Sequence, residues 1–249
     1  MTSSRKVYLS IVHHFIFTTT SLTHRGSGIL KDLSEPIELA LIDYATLMMI
    51  ISDNTATDVL YNKLGEDKIK GVEKYLGLLN TRSDLSCNEL VTSLYGVSNK
   101  SSYDETLKNI IGKTPEKNSP ILVAADMKNN ITTPRDMVKV LSMIYNREIL
   151  DNSACQEIIN IMISCQTNSR IPKLLPNTID IAHKTGTLDR VANDVGIIYH
   201  DNLDYILAVF YNGNLATDED YYRDINGVIG DNFIANLSKD LYELISKNE

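Results

Sequence analysis

Leu47-Met48-Met49-Ile50-Ile51-Ser52-Asp53-Asn54-Thr55-Ala56-Thr57 is the stretch on which the reading of the fold turns. Before it, apolar residues recur at Ile37, Leu41, Tyr44, Ala45, Met48 and Ile51, a helical period with a wide apolar face from Pro36 to Ile51. Ser52-Asp53-Asn54 interrupts that pattern. A second helical pattern runs from about Ala56 to Leu64 and stops at Gly65. Taken locally, the tripeptide reads first as a helix cap, because Ser, Asp and Asn are the preferred capping residues. Its chemistry allows a second reading. The Ser52 hydroxyl can relay a proton to a leaving nitrogen, and the Asn54 amide can hold a carbonyl or a lysine.

Upstream, Val7 to Phe17 is apolar, follows Arg5 and Lys6, and contains His13 and His14. It reads either as the apolar part of a signal peptide or as a buried helix. The two histidines and the lack of a small-x-small cleavage site weigh against the former. Residues 18–36 read as a loop, with Gly26-Ser27-Gly28 its most flexible point. Downstream, residues 66–131 mix short helical patterns with loops, chiefly Ser98 to Tyr103 and Gly112 to Pro120. Thr133-Pro134-Arg135-Asp136 is a helix start, with Thr133 as cap and Pro134 at the first helical position, leading to about Tyr145. Another helix spans about Ser153 to Cys165. Ile179 to His183, Val195 to His200 and Tyr205 to Tyr211 then read as an antiparallel meander, with a turn at Asp201-Asn202. A helix over 231–247 closes the chain. Helices, then strands, then a helix predict an α+β fold.

Composition limits the function. The chain has 249 residues, 43% hydrophobic and 22% charged, which is ordinary for a globular protein and too apolar for disorder. A net charge of −8 leaves no excess of Lys and Arg to neutralise phosphates, so nucleic acid is not an expected partner. No apolar run reaches the ~18 residues of a transmembrane helix. Cys87, Cys155 and Cys165 fit neither a disulfide framework nor a zinc site.

Two further patterns carry chemistry. Ser3-Ser4-Arg5-Lys6 is an S-x-x-K, and on a helix that spacing puts the Lys6 amine beside the Ser3 hydroxyl. A serine needs such a base to become a nucleophile. A solvated terminus is the bland alternative. His183-Lys184-Thr185-Gly186-Thr187 closes an expected strand. Lys184 offers charge for a carboxylate, Gly186 allows close backbone approach, and the Thr187 N–H can serve as an oxyanion donor. A strand end with a surface lysine is the alternative there. His183 reads as a packing residue rather than a base.

Together S-x-x-K, S-D-N and K-T-G, in that order, form the motif set of penicillin-recognising serine enzymes. The chain resembles a class A β-lactamase or the serine hydrolases grouped with them. Gly26-Ser27-Gly28-Ile29-Leu30, Thr132-Thr133-Pro134-Arg135-Asp136-Met137, Arg170-Ile171-Pro172 with Leu175-Pro176, and Asn193-Asp194 with the strand after it resemble that family too. The resemblance implies an antiparallel sheet flanked by helices plus a helical subdomain. It places one catalytic domain over 1–249, mainly helical from about 30 to 170. About 171–249, with the N-terminal segment, would form the sheet-containing part. It also implies Ser3 as the acylated nucleophile, Lys6 as its base, and Ser52 as the proton relay to the lactam nitrogen. Asn54, Lys184, Thr185, Gly186 and Thr187 would bind the substrate, a small β-lactam or a cell-wall peptide, and the resemblance implies no metal or organic cofactor.

Departures from the family pattern carry expectations of their own. Only Met1 and Thr2 precede Ser3, so the usual N-terminal helix and two strands are expected to be missing. The segment from Lys6 to Gly26 is short, so a hairpin there is expected to be reduced. The glutamate that activates the deacylating water has no clear counterpart: counting from Ser52 points to Glu89, counting back from Thr132 to Glu116, and a surface acid is the simpler reading of each. Without that glutamate, a D,D-peptidase or penicillin-binding acyltransferase with slow deacylation is the alternative. A non-catalytic binding descendant is a third. Family members act outside the cytoplasm, yet no export signal is legible, so localisation stays open, as does oligomeric state.

Overall fold

Three eight-residue strands organise the C-terminal half. In a computed structural model describing residues 16–19, 26–34, 36–97, 120–123, 126–201, 203–213 and 228–247, β5 (Ile181–Leu188), β6 (Val191–Ile198) and β7 (Tyr205–Asn212) form an antiparallel sheet in the order β5-β6-β7. The meander is as expected, but β5 runs five residues further than His183 and β6 starts four earlier than Val195. The turn between them is Asp189-Arg190, with Arg190 at φ 55°. No Gly or Pro marks this turn, so the sequence carries no punctuation there. Lys184 to Thr187 therefore lie inside a strand rather than at its end.

The chain divides into two compact units, Met1–Ile131 and Thr132–Glu249. In the second, α6 (Pro134–Tyr145) starts where expected: the Thr133 side chain accepts the Asp136 N–H at 3.2 Å, with Pro134 in the first turn. Helix α7 (Asn152–Ile163) is capped by Asp151, whose carboxylate accepts the Ala154 N–H at 2.9 Å. Cys165 thus falls just beyond this helix rather than inside it. A 3₁₀ turn (Ile171–Leu174) and the long α8 (Val228–Ser246) pack on the sheet. Ile171, Ala192, Ile198, Val209 and Ile234 form a buried cluster. Each of its large aliphatic side chains contributes roughly 1.5–3 kcal/mol by leaving water.

In the first unit, β1 (Ile16–Thr19) pairs antiparallel with β2 (Ile37–Ala40). The helix expected from Pro36 thus begins only at Leu41, as α1 (Leu41–Ile50). Ile37-Glu38-Leu39 alternates buried, exposed and half-buried, as a strand does, and the Asp43 carboxylate takes the Ala40 N–H at 3.2 Å to mark the helix start. Helices α2 (Asn54–Leu64), α3 (Glu66–Tyr75) and α4 (Cys87–Leu94) and the short α5 (Pro120–Val123) follow. Leu30, Ile37, Tyr44 and Ala56 form this unit's buried cluster, so Tyr44 is a core residue as its place in the apolar stripe predicts.

A small clasp joins distant parts of this unit. Arg82–Ser83 (β3) pairs with Asn130–Ile131 (β4). Beside that pairing the Asn130 side chain reads both backbone groups of Leu85, accepting its N–H at 2.8 Å and donating to its carbonyl at 2.9 Å. The buried Asp84 carboxylate accepts the Asn129 N–H at 3.3 Å. No described helix is long and apolar enough to cross a membrane.

Candidate active site

Ser52, Asp53 and Asn54 join α1 to α2, and Asp53 organises them. Its side chain is fully buried. One carboxylate oxygen caps α2 by accepting the Ala56 N–H at 2.9 Å. The other accepts the Ile29 and Leu30 N–H groups at 2.7 and 3.0 Å. The Asn54 N–H donates to the Ser27 carbonyl at 3.0 Å. The cap reading is therefore correct for Asp53, while Ser52 and Asn54 are held on either side of it.

This staple corrects the reading of Gly26-Ser27-Gly28 as the flexible point of a loop. Both glycines have positive φ, 97° and 109°. A Cβ on Gly28 would collide with the Asp53 carboxyl group, and one on Gly26 with the Asn54 side chain. The glycines are there for close approach. Ser52 itself has φ 54°, left-handed backbone that favours glycine. The Leu47 carbonyl accepts both the Ile51 and the Asp53 N–H, at 3.4 and 3.1 Å, and this wrapped helix end requires the conformation. A serine held there by its surroundings is the kind of local strain that accompanies function.

In the other unit, β5 carries Lys184, Thr185, Gly186 and Thr187. Thr185 is buried, Lys184 half-buried, and Gly186 and Thr187 exposed. The Lys184 ammonium donates to the Thr185 carbonyl at 2.6 Å. A Cβ on Gly186 would meet only the Asn193 side chain, at 3.7 Å, so within this unit close packing does not demand glycine. Ser3, Lys6 and Glu116 lie outside the described residues.

Arg170 went unnoticed as a site residue in the sequence, although it stands in the quoted Arg170-Ile171-Pro172. It is 3% exposed. Its guanidinium donates to the Gly186 and Asn193 carbonyls at 2.9 and 2.7 Å, to the Thr187 hydroxyl at 2.8 Å and to the Asp231 carboxylate at 2.6 Å. Gly186 and Asn193 face each other across β5 and β6. One side chain thus fixes the strand segment behind Gly186 and Thr187. An arginine two residues before a proline carries no pattern that would reveal this.

His183 is buried, as a packing residue should be, and paired. Its Nδ1 lies 3.0 Å from the Asp194 carboxylate and its Nε2 3.2 Å from Asn168 Oδ1. Burial opposes its charge, but hydrogen bonds to Asp194 and then Cys165 outweigh that and raise its pKa from 6.5 to about 9. A raised pKa in the folded state makes a contribution that is complete below pH 6.5 and disappears as the pH climbs through about 9. Urea midpoints should accordingly fall across that window. A His183→Gln variant should show a flatter profile, and equal slopes in the two proteins would contradict the assignment.

Glu89 has local employment. Its carboxylate accepts the Ser86 N–H at 2.9 Å while the Ser86 hydroxyl accepts the Glu89 N–H at 3.2 Å, a capping box at the start of α4.

The family model described as "Beta-lactamase enzyme family" matches residues 16–245. The chain belongs to the β-lactamase enzyme family. No curated protein sequence matches it. Among solved structures, PBP-A is similar at 23% identity and a TM-score of 0.69, over 97% of this chain and 75% of that one. A β-lactamase from Sphaerobacter thermophilus is 22% identical with a TM-score of 0.64, over 92% of this chain and 76% of that one. A class A β-lactamase from Bacteroides cellulosilyticus is 22% identical with a TM-score of 0.67, covering 98% and 78%. These structures share the β-lactamase/transpeptidase fold with this chain, and they are longer than it.

Proposed function

We propose that this β-lactamase-family protein is a class A-like serine hydrolase that opens β-lactam rings through an acyl-enzyme, and so serves antibiotic catabolism and resistance. The observation that carries the reading is Ser52: a hydroxyl-bearing residue at φ 54°, locked by the Asp53 staple where glycine would sit more easily. The Ser3 hydroxyl attacks the lactam carbonyl and gives its proton to the Lys6 amine. The oxyanion is held by the Ser3 and Thr187 N–H groups. The lactam C–N bond then breaks, and the Ser52 hydroxyl passes a proton to the departing nitrogen. Asn54 orients the substrate and Lys6. Lys184 and Thr185, with Gly186 between Thr185 and Thr187, hold the substrate carboxylate. Water hydrolyses the ester and frees Ser3.

One observation favours a second reading. Glu89, to which the spacing from Ser52 points, is bound into the α4 capping box, while Glu116, to which the count back from Thr132 points, lies outside the described residues. If neither activates water, deacylation is slow and the protein behaves as a penicillin-binding acyltransferase on a cell-wall peptide. A variant of the similar PBP-A is known as an acyl-enzyme complex with penicillin G.

Incubation with a fluorescent penicillin should add one adduct by intact mass, mapped to Ser3 and lost in Ser3→Ala. Steady nitrocefin turnover supports the hydrolase, and one burst without turnover supports the acyltransferase. A folded protein showing neither adduct nor turnover would sink both.

A further inference from the structure

At the end of its sheet away from Gly186, the second unit carries a row of three polar side chains outside the proposed hydrolysis. Ile181 pairs with Ile198, and Ile198 with Tyr205. One step beyond those pairs Asp180, Tyr199 and Asp204 come side by side: carboxylate, phenol ring, carboxylate. The Tyr199 N–H donates to the Asp180 carbonyl at 3.1 Å. Neighbouring strands lie about 4.8 Å apart, so the two aspartates stand roughly 10 Å apart at the backbone. All three residues line a cavity of about 550 Å³ whose other walls are the end of α6 and one face of α7. Asp180 is exposed, and among the described residues its carboxylate forms no hydrogen bond or ion pair. The Asp204 carboxylate accepts the Tyr145 hydroxyl at 2.7 Å and keeps further lone pairs. The Tyr145 and Tyr199 ring centroids are 6.2 Å apart. The cation of this wall, Arg147, is already committed. Its guanidinium donates to the Ile144 and Tyr145 carbonyls at 3.0 and 2.8 Å and to Gln156 Oε1 at 2.6 Å. Two carboxylates against one guanidinium leave the lining with a net negative charge. A second cavity, of about 290 Å³, shares Tyr145 and Asp204 with the first and adds an aliphatic wall of Val138, Ile197 and Ile206.

We propose that these adjoining cavities bind a primary ammonium that carries an apolar tail, an alkyl- or arylalkylamine. An ammonium has three donors and no acceptor, and carboxylate oxygens only accept, so Asp180 and Asp204 suit it from either side of Tyr199. Tyrosine rings attract a cation placed over their faces. The charge sum fits one cation. An anion would meet two like charges and a guanidinium whose donors are engaged. The tail leaves water against Val138, Ile197 and Ile206, which favours binding in proportion to the apolar area covered. This place is separate from the proposed substrate site. Asp180 precedes β5, and Gly186 lies six residues further on, about 20 Å along the strand.

The test uses the full chain, isotopically labelled and folded. Titrate it near neutral pH with phenethylamine hydrochloride and follow the backbone amide shifts. Saturable shifts are expected at Asp180, Tyr199 and Asp204. Phenethyl alcohol, without the charge, should bind about tenfold more weakly, the share of an exposed ion pair and a cation–π contact together. Phenylpropionate should be weaker still. Asp180→Asn, at an exposed position, should weaken the amine about threefold or more and leave the alcohol as it was. Tyr199→Leu should weaken the amine too, with circular dichroism reporting whether that variant folds. If it does not, Asp180→Asn and the ratio of amine to alcohol still decide. An alcohol or carboxylate that binds as tightly as the amine overturns the proposal. So do shifts centred on Lys184 to Thr187, a titration without saturation, or an unchanged amine affinity in folded Asp180→Asn.

Discussion

Asp53→Ala is expected to cost about 3–5 kcal/mol of folding stability, the range for leaving buried polar partners without a charged mate. The carboxylate is fully buried and accepts three backbone N–H groups, two from the segment that leads into the Leu30 core position and one from the start of α2. Alanine leaves the Leu30 and Ala56 N–H groups without that acceptor in the interior, and the part-buried Ile29 N–H loses it too. It also frees the chain around Gly28, whose close approach has no other evident purpose. Asp53→Asn keeps one acceptor oxygen and should cost less. Urea unfolding monitored by circular dichroism measures both. A loss under about 1 kcal/mol for the alanine variant would show that the staple is not what holds this junction.

Arg170→Ala is the second large effect, again about 3–5 kcal/mol, because it removes one cation and orphans acceptors in the interior. Here stability and activity should fall together. Gly186 and Thr187 are the positions Arg170 grips from behind, and on the proposed function their backbone lines the substrate site. Arg170→Lys should recover less than half of the lost stability. An ammonium lacks the planar fork that reaches Asp231, Thr187 and the two carbonyls at once. Thermal melts and the acylation rate with penicillin check the pair. Full acylation by a folded Arg170→Ala protein would remove Arg170 from any positioning role.

The parts of the fold legible in the sequence are those with local causes. Thr133-Pro134 carries a local helix start, and Tyr205 to Tyr211 is a short run rich in β-branched and aromatic residues, as strands favour. The S-D-N junction was visible because two helical patterns stop and restart around it. Missed were features whose cause lies far along the chain. Ile37–Ala40 pairs with Ile16–Thr19, a tertiary decision that overrides the helical period read from Pro36. The Asp189-Arg190 turn contains neither Gly nor Pro. Gly26 and Gly28 signal freedom in sequence, yet their reason is the distant side chains of Asn54 and Asp53 that they face. Arg170 and the His183–Asp194 pair are invisible to spacing: antiparallel register brings the pair together, and Arg170 reaches the strands from outside the sheet. Ser3 and Lys6 stay legible in sequence alone, as members of a motif set.

The clasp at Leu85 and Asn130 gives the long middle of the chain a particular thermodynamic freedom. It closes a separation of 45 residues with two side-chain-to-backbone bonds and a two-residue strand pair. Loop-closure entropy grows only with the logarithm of length, so doubling the enclosed segment costs ~0.6 kcal/mol. One hydrogen bond of the clasp offsets about that much. Ser52, Asp53 and Asn54 rest on a separate anchor, so the chemistry-bearing junction does not depend on how much chain the clasp encloses.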